Sequence, residues 1–179
     1  DVYKRQQQVR EWYTKNYQHK SGARFETFRT ALTLLYENTE SPYIVETGCL
    51  RLENDFGAGY STYIFGECIS IFGGKLVTID ITPQHLESCK LLTSQFSHNI
   101  TYILDDSLKV LKDYSTRIDL LYLDSYDCPI EGDASASQIH NLTEFTLAES
   151  KLNQNTLILI DDVDFPYGGK ARKTHEYLN

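Results

Sequence analysis

The sequence of 179 residues predicts an α/β domain in which helices cover both faces of a doubly wound, mainly parallel sheet. Short apolar segments alternate along the chain with longer segments whose apolar residues recur at helical spacing, which is typical of βαβ units. The composition, with 41% hydrophobic and 23% charged residues, is that of a globular protein with a substantial core. Neither a linker nor a repeat divides the sequence, so we predict a single domain over residues 1–179.

Five segments have the composition of buried strands. The first follows a Ser-Pro break at residues 41–42, and the fourth is nearly all apolar, as a central parallel strand should be. We therefore predict that the first and fourth strands are neighbours at the centre of the sheet. The predicted strands cover residues 43–47, 75–80, 99–104, 117–124 and 155–161.

Helices are predicted around these strands from the spacing of apolar residues. Residues 7–40 form a helix-rich segment before the first strand. Thr82 followed by Pro83 predicts a helix start with a hydroxyl cap and a proline at the first position. The predicted buried faces of the later helices are Ile64, Cys68, Ile71 and Phe72; Leu86, Cys89, Thr93 and Phe96; Leu108 and Leu111; and Ile139, Leu142, Phe145, Ala148 and Leu152.

Charge and composition exclude several classes of partner. The net charge of −8 repels phosphate backbones, and the basic segment 170–173 is too short to form a large patch, so we expect no nucleic-acid partner. No apolar run has the roughly 18 residues of a membrane span, so we expect no membrane partner. The four cysteines form no CxxC pair, which favours free thiols in a reducing cytoplasm over a zinc site.

Both ends of the sequence resemble cut ends. Methionine is absent from the sequence, residues 1–6 resemble translated adapter sequence, and the last residues are predicted to lie within a helix. We therefore expect that the natural protein extends beyond both ends.

Four of the five predicted strands end in an acidic residue or are directly followed by one, at Asp80, Asp105, Asp124 and Asp161. Ligands of open α/β sheets bind at that edge, near the point where the strand order reverses. The repeated position of these residues is therefore a stronger indication of a ligand site than any single motif.

A loop that contains glycines joins the first predicted strand to the next helix. Gly48 permits a sharp turn, Gly57 and Gly59 do the same at the helix entrance, and Ser61 can cap the helix or bind a ligand. Several carboxylates beside a pyrophosphate would be unfavourable, so the acidic loop favours a ligand with a cationic end, unless it forms only a surface turn. The acidic residues around the loop are Glu46, Glu53 and Asp55.

Two further positions suit the rest of a nucleoside-like ligand. Asp80 follows the glycines by about 20 residues at a strand end, where a carboxylate can accept hydrogen bonds from both ribose hydroxyls. Asp106 and Ser107 follow the third strand, where an adenine ring commonly lies, although such a pair more often caps a helix.

The ordered motifs VETGC, FGAGYST, VTIDITP, YILDDS, IDLLYLDS and LILIDD resemble those of class I S-adenosylmethionine-dependent methyltransferases. The resemblance covers roughly residues 22–178 and is strongest to the small O-methyltransferase-like subgroup. It implies a Rossmann-like fold and methyl transfer to a small-molecule acceptor, most simply to a hydroxyl oxygen. The family's last two strands are missing, and residues 49–56 stretch its glycine motif.

The resemblance also implies roles for individual residues. The methionine part of the cofactor would lie near Glu46, and the ribose would bind Asp80. The cradle would be formed by Gly48, Gly57, Gly59 and Ser61, and the adenine would be flanked by Asp106 and Ser107. Because the sulfonium and the ammonium of this cofactor are both cationic, the resemblance accounts for the acidic loop.

A second group of residues suggests the chemistry of the acceptor. In catechol-type O-methyltransferases, acidic residues at the positions of Asp124, Asp161 and Asp162 hold Mg²⁺, which would lower the pKa of a bound hydroxyl. The alternative is that these carboxylates cap helices or face solvent. Asp124 and His140 are the candidate catalytic groups, although His140 could also be an exposed helix residue.

Three other functions remain open from the sequence. A nicotinamide-dependent oxidoreductase is disfavoured by the acidic loop and the missing GxGxxG. A receiver-like signalling domain would need its acidic pair after the first strand, where this chain has Glu46 and Thr47. A cofactor-binding but inactive scaffold fits the same motifs.

Overall fold

The computed structural model of the protein describes residues 2–58 and 60–179. The strands are β1 (Tyr43–Thr47), β2 (Lys75–Asp80), β3 (Ile100–Leu104), β4 (Leu120–Leu123) and β5 (Leu157–Ile160). The helices are α1 (Val2–Tyr17), α2 (Phe25–Asn38), α3 (Ser61–Phe72), α4 (Pro83–Leu92), α5 (Ser107–Asp113), α6 (Ser135–Ala148) and α7 (Arg172–Leu178).

The five strands form one sheet in the order β3-β2-β1-β4-β5, and every neighbouring pair is parallel. Val45 of β1 lies opposite Val77 of β2 and Leu121 of β4. The prediction that the first and fourth strands are neighbours at the centre is therefore confirmed. From β1 the chain adds β2 and β3 on one side, and it then crosses back to add β4 and β5 on the other side of β1. Because the strand order reverses there, a crevice opens between the carboxyl ends of β1 and β4.

Helices pack on both faces of the sheet, because alternate side chains of each strand point to opposite faces. Ile44 belongs to a core beneath α1, α2, α3 and α4, whereas Val45 belongs to a second core beneath α5 and α6. The first core is rich in aromatic rings, and the Phe28 ring lies 5.6 Å from those of Phe65 and Tyr122. The predicted α/β class with helices on both faces is confirmed.

Two predicted core residues are exposed. Ile71 is 53% exposed, because the last turn of α3 packs Phe72 against Trp12 and Tyr36 and leaves its neighbour outside. Ile139 is 54% exposed, because the buried face of α6 is mainly polar along its first turns. That polar face lies toward the carboxyl edge of the sheet and includes residues of the candidate site.

Among the residues that the structure describes, none of the helices combines the length and the apolar content of a membrane span.

Candidate active site

A cleft of about 490 Å³ opens at the carboxyl ends of the central strands. This volume is in the range of sites for small molecules and cofactors, and the position is the one expected for this sheet order. The wall of the cleft includes Gly48, Ser61, Asp80, Ser107, Asp124 and His140.

Gly48 allows the loop after β1 to pass close to β4. Its φ is +80°, and a Cβ atom there would lie 2.7 Å from the backbone oxygen of Asp124. Its backbone nitrogen donates to the Ile79 oxygen at 2.8 Å, which continues the ladder toward β2. A glycine is therefore required here for both conformation and space.

Glu46 is completely buried behind the start of α3. Its carboxylate accepts hydrogen bonds from Ser61, from Thr62 at 2.7 Å and from Thr78 at 2.7 Å. Burial raises the pKa of Glu46 to about 7, although these hydroxyl donors act in the opposite direction. Because Thr62 also accepts from the Leu50 nitrogen at 2.9 Å, Glu46 anchors the first part of the glycine loop from below.

The loop after β1 is held at several points. The Gly57 oxygen accepts from Arg24 Nη1 at 2.9 Å, and Asp55 accepts from the Ala58 nitrogen at 3.1 Å. Arg51 Nη2 lies 3.4 Å from Asp127 Oδ1, so an exposed ion pair joins this loop to the loop after β4. Gly57 contacts Arg24 and is absent from the cleft wall, and Gly59 lies outside the described residues.

Asp80 is held at the end of β2 by backbone donors. It accepts from the Thr82 nitrogen at 2.8 Å and from the Cys49 nitrogen at 3.2 Å, and His85 Nδ1 lies 3.5 Å away. The predicted hydroxyl cap of α4 is wrong, because the side chain of Thr82 makes no capping hydrogen bond, whereas Pro83 does begin the helix. The carboxylate of Asp80 is thus oriented at the cleft before any ligand binds.

Asp106 and Ser107 both lie on the cleft wall. Asp106 caps α5 by accepting from the Leu108 nitrogen at 2.9 Å, so the helix-cap alternative describes its hydrogen bond. Ser107 Oγ lies 3.4 Å from Nε2 of His140, which brings the start of α5 next to α6.

A buried lysine lies between two of the three predicted metal ligands. Lys170 Nζ is 2.8 Å from Asp124 Oδ1 and 3.0 Å from Asp162 Oδ2, and the side chain is 1% exposed. Burial alone would lower the pKa of Lys170, but the two carboxylates raise it. Burial raises the pKa of Asp124, and Lys170 acts in the opposite direction.

The backbone before Lys170 explains how it reaches this position. Gly169 has a φ of +52°, and a Cβ atom there would lie 1.7 Å from the Asp162 oxygen. The Lys170 nitrogen donates to the same oxygen at 3.3 Å. Residue 170 therefore lies inside the protein, and the short basic segment of the sequence contributes two surface cations at most.

Arg24 neutralises the remaining carboxylate. Its Nη2 lies 2.7 Å from Asp161 Oδ2, and its Nε lies 2.9 Å from Asp161 Oδ1, so the pair is bidentate. Although burial acts the other way, Arg24 holds the pKa of Asp161 below its usual range. Arg24 thus joins the N-terminal helices to the end of β5.

The structure does not support the predicted Mg²⁺ site at Asp124, Asp161 and Asp162. Within residues 2–58 and 60–179, no group of three or more His, Cys, Asp or Glu side chains is arranged to hold a metal ion. Three close carboxylates repel one another unless a positive charge screens them, and the predicted source of that charge was a metal ion. Lys170 and Arg24 supply that screening from within the chain.

His140 lies on the cleft wall, and its side chain is 19% exposed, so it is not an exposed helix residue. Its Nε2 lies 3.0 Å from Ser125 Oγ, and its ring lies 5.2 Å from the ring of Tyr126. Ser125 donates to Glu144 Oε1 at 2.6 Å. Both predicted catalytic groups, Asp124 and His140, therefore lie at the same cleft.

Sequence reasoning missed four residues of this region. Arg24 and Lys170 lie 137 and 46 positions from the carboxylates that they bind, and no local pattern relates them. Glu144 follows His140 by one helical turn, a spacing that could have been noticed. Ser125 follows directly after Asp124, but a single serine carries no signal of its own.

Comparison with known proteins gives an independent result. A family model described as a methyltransferase domain matches residues 55–163, which is more than half of the chain. Among curated protein sequences, none matches the chain significantly.

Several solved structures have the same fold. The SAH-bound methyltransferase of Podospora anserina is 16% identical, with a TM-score of 0.58 over 96% of this chain and 71% of that one. An rRNA methylase of Streptococcus thermophilus is 15% identical, with a TM-score of 0.55 over 84% and 77% of the two chains. A Staphylococcus aureus protein described as a caffeoyl-CoA O-methyltransferase is 18% identical, with a TM-score of 0.54 over 77% and 57%. At these identities the similarity establishes the fold alone.

Proposed function

The chain belongs to this family of methyltransferase domains, and we propose that it transfers the methyl group of S-adenosylmethionine to a hydroxyl oxygen of a small molecule. The observation that carries the proposal is the cleft at the junction of β1 and β4. Its wall joins Gly48, Asp80 and the Asp106-Ser107 pair, which follow three different strands in the order that a nucleoside-containing ligand requires.

The residues on the wall suit this cofactor. Gly48 leaves space beside the backbone, and Asp80 presents a carboxylate that can accept hydrogen bonds from ribose hydroxyls. Ser61, Asp106 and Ser107 complete the set that would hold it. Glu46 and Gly57 would act indirectly, since one supports the loop from below and the other binds Arg24. The bound cofactor supplies an activated methyl group on a cationic sulfur.

The charge of the cleft favours a neutral or cationic small molecule as the acceptor. Six aspartates lie on its wall, against one arginine and two histidines. Because the chain also carries a net charge of −8, it would repel a phosphate backbone. Burial of Lys170 weakens the one basic segment further. These observations favour a small acceptor over rRNA, the substrate that the names of some structural relatives indicate. The aspartates are Asp55, Asp80, Asp105, Asp106, Asp124 and Asp127.

We further propose that transfer does not use Mg²⁺. The carboxylates that would hold it are paired with Lys170 and Arg24, so the donor set does not fit a divalent ion. The hydroxyl proton would instead pass to a side chain of the cleft, for which Asp124 and His140 are the candidates. The rest of the catalytic effect would come from holding acceptor and donor in line.

The proposed setting is the cytoplasm. All four cysteines are buried free thiols, which favours a reducing compartment.

Calorimetric binding of S-adenosylhomocysteine tests the cofactor assignment. Asp80→Asn should weaken binding about 10- to 100-fold, corresponding to about 1.5–3 kcal/mol for a charge-assisted hydrogen bond. Asp113→Asn, a change of an exposed aspartate at the end of α5, is the matched control and should leave binding unchanged. Failure of the unmodified protein to bind, or tighter binding of a nicotinamide dinucleotide, would contradict the proposed function. Equal affinities for Asp80→Asn and the unmodified protein would remove Asp80 from the site.

A further inference from the structure

We infer that Ser125 and Glu144 fix His140 in the tautomer that carries its proton on Nε2, so that Nδ1 accepts the proton of the acceptor hydroxyl. This inference rests on the proposed function and assigns one of its two candidate proton acceptors. Ser125 and Glu144 act as positioning residues, since they reach the acceptor only through His140.

The three side chains form a connected array next to the cleft. Glu144 Oε1 lies 2.6 Å from Ser125 Oγ and 3.4 Å from His140 Nε2, and His140 Nε2 lies 3.0 Å from Ser125 Oγ. Glu144 is completely buried, whereas His140 and Ser125 lie on the cleft wall. The array therefore connects a carboxylate inside the protein to a ring at the ligand site.

The number of available protons fixes the state of the ring. A serine hydroxyl has one proton, and Ser125 donates it to Glu144, which as a carboxylate can only accept. Toward His140, Ser125 Oγ can then act only as an acceptor, so Nε2 must carry a proton. In the neutral ring the lone pair that can accept a proton is consequently on Nδ1. Within the described residues, the hydrogen bonds of His140 use Nε2 and leave Nδ1 free.

The buried carboxylate of Glu144 favours proton uptake by His140. Its Oε2 is buried and has no hydrogen-bond partner among the described residues, and its one neighbour there that can become cationic is His140. A half-satisfied buried carboxylate is unfavourable. Proton uptake by His140 converts the pair into an imidazolium–carboxylate ion pair, which stabilises the buried negative charge of Glu144.

The groups around His140 come from three elements. Ser107 of α5 lies 3.4 Å from Nε2, Tyr126 of the loop after β4 packs on the ring, and Glu144 lies one turn further along α6. Asp106 and Asp124 share the cleft wall, but neither forms an ion pair with His140 within the described residues. Glu144 is thus the carboxylate that acts on the ring directly.

The proton transfer balances within the proposed reaction. The O–H bond of the acceptor breaks and its proton binds Nδ1 of His140, while the acceptor oxygen forms a bond to the methyl carbon. The carbon–sulfur bond breaks, and its electron pair stays on the sulfur, which loses its positive charge. His140 then returns the proton to solvent, which restores the neutral ring for the next turnover.

The test is histidine NMR on the protein with neither cofactor nor acceptor. Two-bond ¹⁵N spectra of the five ring-labelled histidines distinguish the tautomers, and His140→Gln identifies the signal of residue 140. We expect the Nε2-protonated tautomer in the unmodified protein and a mixture of tautomers in Ser125→Ala, which removes the acceptor. Glu144→Gln should also give a mixture of tautomers, because an amide can donate to Ser125 Oγ and so leave the serine proton available for Nε2.

Glu149→Gln is the matched control, since Glu149 follows the same helix and binds only the exposed Tyr177 hydroxyl among the described residues. It should leave the signal of His140 unchanged, and the signal of exposed His98 should not change in any variant. The inference would be overturned by an Nδ1-protonated ring in the unmodified protein. It would also be overturned if the His140 signals of Ser125→Ala and Glu144→Gln were identical to that of the unmodified protein. If Glu144→Gln does not fold, Ser125→Ala alone decides. A protein that shows this tautomer but does not bind S-adenosylhomocysteine would refute the proposed function instead.

Discussion

Replacing Lys170 by methionine removes the cation between Asp124 and Asp162 while keeping a chain of similar length. In the native protein the ammonium lies 2.8 Å from one carboxylate and 3.0 Å from the other. The variant would retain both carboxylates in a region from which water is largely excluded. Its stability therefore measures how much the internal cation contributes.

The expected loss follows from the burial of the three groups. Removing one partner of a fully buried ion pair costs about 3–5 kcal/mol, because the other charge stays unpaired. Lys170 is 1% exposed, but the side chains of Asp124 and Asp162 are 19% and 18% exposed, so water screens them in part. We therefore expect a loss at the lower end, about 2–3 kcal/mol of the free energy of unfolding at neutral pH.

Urea unfolding followed by the fluorescence of Trp12, the single tryptophan, measures this loss. Lys109→Met is the matched control: Lys109 also lies 2.7 Å from a carboxylate, that of Asp105, but the side chain is 66% exposed, so its removal should change stability little. The stability difference between Lys170→Met and the unmodified protein should decrease as the pH falls, because burial raises the pKa of Asp124 and its protonation removes an unpaired charge.

The reasoning is refuted if Lys170→Met loses no more stability than Lys109→Met. It is also refuted if Mg²⁺ stabilises the unmodified protein against urea. A ligand that binds only the folded state raises its stability, so such a result would mean that an ion binds in spite of Lys170 and Arg24.

Two further predictions concern the loop after β1. Because the pKa of Glu46 is raised to about 7 in the folded protein, its proton stabilises the fold below about pH 4.5, and this contribution is lost as the pH rises through 7. Urea unfolding from pH 4.5 to 8 should show this decline relative to Glu46→Gln, and parallel pH profiles of the two proteins would contradict it. Gly48→Ala should lose about 1–3 kcal/mol and bind S-adenosylhomocysteine more weakly, since φ is +80° and a Cβ would lie 2.7 Å from the Asp124 oxygen. Calorimetry and urea unfolding measure both effects, and native values in both would show that the backbone moves at little cost.

The sheet could be predicted from the sequence because its determinants are local. The apolar runs that became β1 and β4 identified the central pair, and their buried side chains now face the two cores. The same logic predicted that carboxylates gather at one edge. The prediction that Ile139 is a core residue is wrong, because the buried face of α6 carries polar side chains where the helix borders the cleft. Apolar periodicity does not detect a buried polar face.

The structure does not support the predicted metal site, and the reason is different. The positions of Asp124, Asp161 and Asp162 were predicted correctly at the ends of two neighbouring strands. Their positively charged partners were not predicted. A glycine turn places Lys170 beside Asp124 and Asp162, and Arg24 lies directly before α2, far from Asp161 in the sequence. Close carboxylates require a positive charge but do not specify its source, and a single sequence cannot distinguish an ion from a distant side chain.

The internal cations also bear on which group accepts the proton. Asp124 already shares its charge with Lys170, which binds Asp162 as well, so proton uptake by Asp124 would weaken an existing ion pair. Proton uptake by His140 would instead create one, because Glu144 lies 3.4 Å away and one of its oxygens has no partner among the described residues. Of two groups at the same cleft, the better proton acceptor is the one that creates an ion pair on proton uptake rather than weakening one. This difference favours His140 over Asp124 as the proton acceptor. Asp124, which is paired with Lys170, would then form part of the cleft wall without accepting the proton.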